Sequence, residues 1–159
     1  MNRTNQEIEH KFLVTSEKWK KKSTGIHYKQ GYLTIDKTRT VRIRLEGEIS
    51  KLTIKGEKKG PSGKEFEYKI PYKDAVYMLE YLCLKPLVEK LRYKIKYDGF
   101  IWDVDEFLGE NEGLVIAEIE LESEGQKFNK PDWIGENVTD DPKYKNANLV
   151  KNPFKNWRE

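Results

Sequence analysis

The chain has 159 residues, which is enough for one domain with a substantial core, and 36% of them are charged. Thirty lysines and arginines are set against twenty-seven aspartates and glutamates, so the formal net charge is only +3. This near balance argues against a nucleic-acid-binding protein, which usually carries a larger positive excess. Aromatic residues spread along the chain argue against intrinsic disorder. We therefore predict a single folded domain over residues 1–159.

Two features of the sequence bear on where the protein works. Cys83 is the only cysteine, so neither an intrachain disulfide nor a cysteine-based metal cluster is expected. The N-terminal residues Met1–Gln6 are polar, and no stretch is apolar for long enough to span a membrane. We expect a cytoplasmic protein that binds neither membranes nor nucleic acid. The sequence carries no prediction about oligomeric state.

Alternation of charged and apolar residues dominates the chain and predicts eight β-strands. A side-chain period of two places the charged residues of a strand on one face and its apolar residues on the other. Short turns such as Glu46–Glu48 and Asp98–Gly99 join most of the strands, which favours antiparallel hairpins. In chain order the predicted strands are Glu7–Leu13, Tyr28–Ile35, Thr40–Leu45, Lys51–Lys55, Glu65–Ile70, Lys90–Ile95, Ile101–Asp105 and Ala117–Glu122.

Helical patterns occur in a few places between and after the strands. The apolar residues of Tyr72–Leu84 recur at helical spacing, which predicts an amphipathic helix with Cys83 buried on its apolar face. Ser16 can cap a short helix over Glu17–Lys21. From Gly125 onward, repeated prolines predict short helices and loops that pack on the strands.

The charged strand faces allow two interpretations. In an ordinary antiparallel sheet the apolar residues face a core and the charged residues face water, and the alternation by itself favours this arrangement. Here, however, charges of one sign recur two residues apart, as in Glu7 with Glu9 and Arg42 with Arg44. Such pairs repel each other unless opposite charge lies between or across from them. A divalent cation between carboxylates, and a phosphate between cations, would supply that charge.

The motifs along the chain are informative as an ordered set. The first is Glu7-Ile8-Glu9-His10-Lys11. The others are Gln30-Gly31-Tyr32-Leu33, Arg42-x-Arg44, Lys51-x-Thr53-x-Lys55, Glu65-x-Glu67, Glu89-Lys90-x-Arg92-Tyr93, Asp103-x-Asp105-x-Phe107, Glu118-x-Glu120, Trp133-Ile134-Gly135-x-x-Val138-Thr139 and Tyr144-Lys145-Asn146. The set resembles the CYTH, or triphosphate tunnel metalloenzyme, family, and in particular its short bacterial inorganic triphosphatases. His10 stands where arginine is common in the family, and it should point away from Glu9 and Lys11.

The resemblance implies a mainly β (α+β) fold, in which eight antiparallel strands close into a barrel around a tunnel. The charged strand faces would line the tunnel, and helices would cover the apolar faces from outside. This arrangement reverses an ordinary sheet. It is tolerable only if the tunnel is wet and its charges compensate one another, because isolated buried charge is very costly.

The resemblance also implies roles for the residues of the tunnel. Carboxylates suit Mg²⁺ or Mn²⁺, and the expected metal ligands are Glu7, Glu9 and Glu120, with Glu118 nearby and Asp105 at a second metal. Cations suit phosphate oxygens, and the expected phosphate-binding residues are Lys11, Arg42, Arg44, Lys55, Lys90 and Arg92. Tyr32 and Lys90 are expected to take part in catalysis. Three further carboxylates are expected to orient these cations and metal ligands, namely Glu65, Glu67 and Asp103.

The predicted function is divalent-metal-dependent hydrolysis of a triphosphate, with inorganic tripolyphosphate converted into pyrophosphate and phosphate as the leading case. Alternatives on the same site are hydrolysis of a nucleoside or thiamine triphosphate, or cyclisation of ATP as in class IV adenylate cyclases. A polyphosphate-binding module without catalysis is a further alternative. It agrees less well with the sequence, because binding a polyanion would not require pairs of carboxylates.

Overall fold

Strands dominate the computed structural model, which describes residues 5–157. The strands are β1 (Gln6–Val14), β2 (Ile26–Ile35), β3 (Arg39–Glu46), β4 (Ile49–Gly56), β5 (Ser62–Lys69), β6 (Val88–Tyr97), β7 (Phe100–Phe107), β8 (Val115–Leu121) and β9 (Ile134–Asn137). The α-helices are α1 (Tyr72–Tyr81) and α2 (Asn146–Lys151), and single 3₁₀ turns cover Gly109–Asn111, Pro142–Tyr144 and Phe154–Asn156. No helix within the described residues has the length and apolar character needed to cross a bilayer.

The sheet closes on itself through β1. Its strand order is β5-β4-β3-β2-β6-β7-β8-β1-β9, and β5 also pairs with β1 at Gln6–Ile8. Every pairing is antiparallel, so β1 to β8 form the predicted eight-stranded barrel. Further along β1, the pairs Phe12 with Asn137 and Val14 with Ile134 add β9 to the edge that β5 leaves open. The sequence did not predict β9, because four residues in a proline-containing tail are too few to reveal alternation.

The charged faces of the barrel strands point inwards. The register places Glu9 opposite Glu120, Lys55 opposite Glu65 and Lys94 opposite Asp103, and all of these side chains border one interior cavity. The intervening apolar residues point outwards. The reversed arrangement of charge and apolar surface is therefore confirmed for the middle of the barrel.

Helix α1 covers the outer face of β2, β3 and β4. Ile43 of β3 is fully buried there and packs with Ala75 and Leu79 of α1. Cys83 belongs to the same cluster, which confirms that it is a packing residue, but it lies just beyond α1, because the helix ends at Tyr81 and not at Leu84 as predicted.

Irregular segments, rather than helices, cover the other outer face. Phe12 and Trp102 pack there against Trp19 and Trp133, which come from loops. The predicted helix at Glu17–Lys21 is wrong, because this segment forms turns that bring the Trp19 ring into the core. The Trp19 indole N–H is satisfied by the backbone oxygen of Ser16 at 2.8 Å.

One end of the barrel interior is apolar. Val88, Phe107 and Ile116 lie on the inward faces of β6, β7 and β8, and they pack with Leu149 and Val150 of α2. The C-terminal segment therefore seals an end of the interior, whereas the sequence predicted that it would lie on the strands without specifying this site. The charged cavity begins where this apolar cluster ends.

Replacing Ile43 with alanine should lower the free energy of unfolding by about 2–5 kcal/mol, because the change leaves a cavity beneath α1. The matched control is Ile54→Ala on neighbouring β4, where the residue is 38% exposed. The control should lose about 1 kcal/mol or less. Urea unfolding measures both values, and equal losses would contradict the outward, helix-covered position of Ile43.

Candidate active site

The barrel encloses a cavity of about 720 Å³, to which all eight barrel strands contribute side chains. Thr139 and residues 142 and 145–148 of the C-terminal segment border it as well. Every predicted site residue except Asp105 lines this cavity. These residues are Glu7, Glu9, Lys11, Tyr32, Arg42, Arg44, Lys55, Glu65, Glu67, Lys90, Arg92, Asp103, Glu118 and Glu120.

Three buried arginines, Arg42, Arg44 and Arg92, gather on one side of the cavity. The ring of Tyr28 lies 5.0 Å from the guanidinium carbons of both Arg44 and Arg92, a cation–π arrangement that holds like charges near each other. Burial, together with Arg42 and Arg92, lowers the pKa of Arg44. Among the described residues, Arg42 Nε is one of the few buried donors without a hydrogen-bond partner. This side of the cavity is therefore suited to an anion.

Two glutamates at the tunnel wall hold part of this arginine cluster. Arg44 Nε donates to Glu46 at 2.8 Å, and Arg42 Nη2 lies 3.5 Å from Glu67. The Thr53 hydroxyl also donates to Glu67, at 2.9 Å. Glu46 was not predicted as a site residue because it borders a turn, although it continues the period of two set by Arg42 and Arg44.

Asp105 lies inside the barrel, against Arg92 and Lys90, and does not line the cavity. It is fully buried, and its carboxylate accepts two bonds from Arg92, at 2.7 and 2.8 Å, while Lys90 Nζ lies 2.9 Å away. Burial lowers the pKa of Lys90 to about 7, although Asp105 acts in the opposite direction. In this arrangement Asp105 positions two cations, so the geometry does not favour the metal-ligand role expected of it.

Four carboxylates form the opposite part of the cavity: Glu7, Glu9, Glu65 and Glu120. Burial, Glu118 and Glu7 raise the pKa of Glu9. Loss of water contact, Glu7 and Glu65 raise the pKa of Glu120 to about 7, although this side chain keeps access to the solvent of the tunnel, which weakens the repulsion. The carboxylates therefore repel one another, and added positive charge would stabilise them.

Lysines supply part of that positive charge. Lys55 and Lys58 lie 3.0 and 3.1 Å from Glu7, and they hold the pKa of its carboxyl well below its usual range against the opposing effect of burial. Lys58 comes from the turn between β4 and β5 and lies over Gly63, where a Cβ atom would be 2.9 Å from Lys58 Cγ. Sequence reasoning missed Lys58, because a loop lysine has no periodic signal.

The carboxylate cluster suits a hard divalent cation by the chemistry of its donors. Carboxylate oxygens are the ligands that Mg²⁺ and Mn²⁺ prefer. Within residues 5–157, no three acidic, histidine or cysteine side chains converge into a ready-made metal site. Lys55 and Lys58 pair with Glu7 and would compete with a metal ion for its carboxylate.

Tyr32 and Lys90 are connected by two buried amides. The Tyr32 hydroxyl accepts a bond from Gln30 Nε2 at 3.1 Å, and Lys90 Nζ donates to Asn146 Oδ1 at 2.8 Å. Gln30 Nε2 lies 3.4 Å from the same Asn146 oxygen. The sequence motifs contained both amides, but sequence reasoning gave neither of them a role.

Several known proteins are similar to this chain over most of its length. The CYTH domain family model matches residues 5–151. An inorganic triphosphatase of Acetivibrio thermocellus is 56% identical over 154 residues, which is 97% of this chain and 99% of the relative. One of Nitrosomonas europaea is 36% identical over 153 residues, covering 91% and 96% of the two chains. The crystal structure of an inorganic triphosphatase, 34% identical, covers 91% of this chain and 93% of its own, with a TM-score of 0.62.

Asp105→Asn should lower the free energy of unfolding by about 3–5 kcal/mol, because Lys90 and Arg92 would lose a buried counter-charge. Asp103→Asn is the control. The Asp103 side chain is 25% exposed and pairs with exposed Lys94 and, at 3.5 Å, with Arg92, so its loss should cost about 0–1 kcal/mol. Urea unfolding at neutral pH measures both values.

The same variant tests the pH dependence of stability. Burial would raise the pKa of Asp105, but Arg92 and Lys90 hold it below its ordinary value of 3.8. The folded state therefore binds this proton less tightly than the unfolded state. The stabilisation should be complete above the ordinary value and be lost as the pH falls through the lowered one. A wild-type advantage over Asp105→Asn that grew on acidification would contradict this assignment.

Proposed function

The chain belongs to the CYTH family, and we propose that its tunnel hydrolyses inorganic tripolyphosphate to pyrophosphate and phosphate with a divalent cation as cofactor. Two relatives that match it nearly end to end are inorganic triphosphatases. The observation that carries the proposal is the layout of charge in one cavity, with carboxylates on β1, β5 and β8 and arginines on β3 and β6. A metal-bound polyphosphate needs both kinds of partner at once.

The arginines and lysines of the cavity are proposed to bind the phosphate chain. Guanidinium groups can bind phosphate oxygens with two parallel hydrogen bonds, and the unpartnered Nε of Arg42 is a donor ready for one of them. The cations lie on several strands, namely Lys11, Arg42, Arg44, Lys55, Lys90 and Arg92. Contacts spread in this way would use the remote phosphates to position the reacting one. The same cations would stabilise charge that spreads over the transferred phosphoryl group.

Glu7, Glu9 and Glu120 are proposed to hold Mg²⁺ or Mn²⁺, with Glu118 nearby and Glu65 in support. When bound, the cation would polarise phosphate oxygens and acidify an attacking water. Glu118 is already engaged by Lys11 at 2.8 Å and by Arg92 at 3.1 Å, so it joins the metal side to the phosphate side. Lys58, 3.1 Å from Glu7, would compete with a bound cation for this carboxylate.

Tyr32 and Lys90 are proposed to act on the reacting phosphates. Because the Tyr32 oxygen accepts a bond from Gln30, its own O–H is left to donate to a phosphate oxygen. Lys90, whose pKa burial lowers to about 7, can hold or release a proton at Nζ near neutral pH. A proton held there would neutralise charge on the departing phosphate.

The remaining expectations from the sequence stand as part of this proposal. We propose that residues 1–159 act as one domain in the cytoplasm. Its partner would be a small-molecule triphosphate, without nucleic acid or a membrane. The near balance of acidic and basic residues supports the absence of nucleic-acid binding.

Phosphate release from a panel of substrates tests the proposed function. Tripolyphosphate should be hydrolysed faster than ATP or thiamine triphosphate, and pyrophosphate should be a poor substrate because it spans fewer of the tunnel cations. Activity should vanish on chelation and return with Mg²⁺ or Mn²⁺. Turnover that persists after exhaustive chelation would exclude the metal-dependent mechanism, and cyclic AMP formed from ATP would favour the cyclase alternative.

Arg42→Ala, Arg44→Ala and Arg92→Ala should each lower kcat/KM on the order of 10²–10³-fold, as expected for the loss of a preplaced charge in a polar site. Arg44→Ala should keep the melting temperature, because burial and the neighbouring Arg42 and Arg92 disfavour the Arg44 charge in the empty tunnel. Lys96→Ala is the matched control, since Lys96 lies on β6 like Arg92 but is exposed and does not line the cavity. Near-normal turnover of all three arginine variants would refute their assignment to phosphate.

A further inference from the structure

A chain of buried amides runs from the C-terminal helix to both groups assigned to catalysis. Lys90 Nζ donates to Asn146 Oδ1 at 2.8 Å, and Gln30 Nε2 lies 3.4 Å from that oxygen. Gln30 Nε2 also donates to the Tyr32 hydroxyl at 3.1 Å. Gln30 is fully buried and Asn146 is 9% exposed, so water does not substitute readily for either partner. Gln30 and Asn146 are therefore placed to orient Tyr32 and Lys90.

The hydrogen bonds of the two amides determine how the Tyr32 hydroxyl and the Lys90 amino group are oriented. Both hydrogens of Gln30 Nε2 are used, one on Asn146 and one on the Tyr32 oxygen. The Tyr32 hydroxyl is therefore an acceptor on its Gln30 side, and its own hydrogen can point into the cavity. Lys90 Nζ donates to Asn146 and forms an ion pair with Asp105, 2.9 Å away, so these two partners fix the orientation of its amino group.

Burial of the Gln30 amide lowers the stability of the fold. Gln30 Oε1 is one of three buried side-chain polar atoms without a hydrogen-bond partner among the described residues. A buried acceptor without a partner is unfavourable, and an apolar side chain of similar size would avoid the penalty. A residue that breaks a packing rule in this way, beside Tyr32 and Lys90, is more readily explained by the reaction than by stability.

The position of Asn146 depends on how the C-terminal segment docks. Asn146 is the first residue of α2, and Leu149 and Val150 of the same helix are buried against Phe107 and Ile116 at the barrel end. The docked helix places the Asn146 amide against Lys90, which lies 56 residues earlier in the sequence. An active site built only from the barrel strands would lack this acceptor.

We propose that Gln30 and Asn146 are positioning residues that orient Tyr32 and Lys90, and that docking of α2 completes the active site. The inference rests on the proposed function, because Tyr32 and Lys90 receive their roles there. Neither amide needs to touch the reacting phosphate. Their effect is to fix which hydrogens of Tyr32 and Lys90 face the substrate.

Steady-state kinetics on tripolyphosphate test the inference with the full chain. Asn146→Ala should lower kcat on the order of ten- to a hundredfold, as for a small misplacement of a catalytic group, and change KM by less than about threefold. Asn152→Ala is the matched control, because Asn152 is exposed and follows α2 directly. A kcat for Asn146→Ala within about twofold of the control, or a rise in KM that accounts for the whole loss of kcat/KM, would overturn the inference.

Gln30→Met provides a second variant that does not depend on α2. It removes the amide donors and the unpartnered oxygen while filling the same volume, so the melting temperature should be kept or raised while kcat falls. A variant in which kcat keeps its wild-type value would overturn the role of Gln30. If Asn146→Ala does not fold, this variant decides the outcome by the same kinetic criteria.

NMR separates failure of the inference from failure of the proposed function. The side-chain amide signal of Gln30 should shift in Asn146→Ala and stay in place in Asn152→Ala, whether or not any substrate is turned over. If the wild-type protein hydrolyses no tripolyphosphate but the signal shifts, the proposed function fails and the amide chain stands. An unmoved Gln30 signal would overturn the amide chain itself.

Discussion

The structure depends on the compensation of charge inside a closed barrel. Closing β1 onto β5 encloses the charged face of every barrel strand, so each enclosed charge needs a partner or water. Asp105 meets this need where it accepts two hydrogen bonds from Arg92 and lies beside Lys90. Hydrophobic burial is displaced to the outside, beneath α1 and the tryptophan-containing loops, and to the end sealed by α2.

Compensation is weakest where we place the ligands. Burial and neighbouring carboxylates raise the pKa of both Glu9 and Glu120, and Arg42 keeps a buried donor without a partner. A metal ion and a phosphate chain would each supply the charge that its side of the cavity lacks. Binding and stability are therefore linked, since ligands that bind only the folded protein stabilise it. The same physical need explains both the fold and the proposed reaction.

The C-terminal segment contributes both to apolar packing and to the candidate active site. Its apolar side chains fill the uncharged end of the barrel interior, and Asn146 reaches Lys90 from the boundary between apolar and charged regions. A lysine enclosed among apolar side chains would be strongly disfavoured as a charged group. Asp105 and Asn146 make its position tolerable, and burial leaves its pKa at about 7, in the range useful for proton transfer.

The sequence by itself determined the eight barrel strands, the helix α1 and the grouping of charges, because a period of two fixes which residues share a face. It could not fix whether that face points inwards, since alternation is the same in an open sheet and a closed barrel, and only the resemblance to the CYTH family favoured the tunnel. Tertiary structure decided which charges meet. Register set Asp105 against Arg92, a loop brought Lys58 to Glu7, and the docked tail brought Asn146 to Lys90. Such contacts join residues far apart in the chain, where local periodicity carries no information.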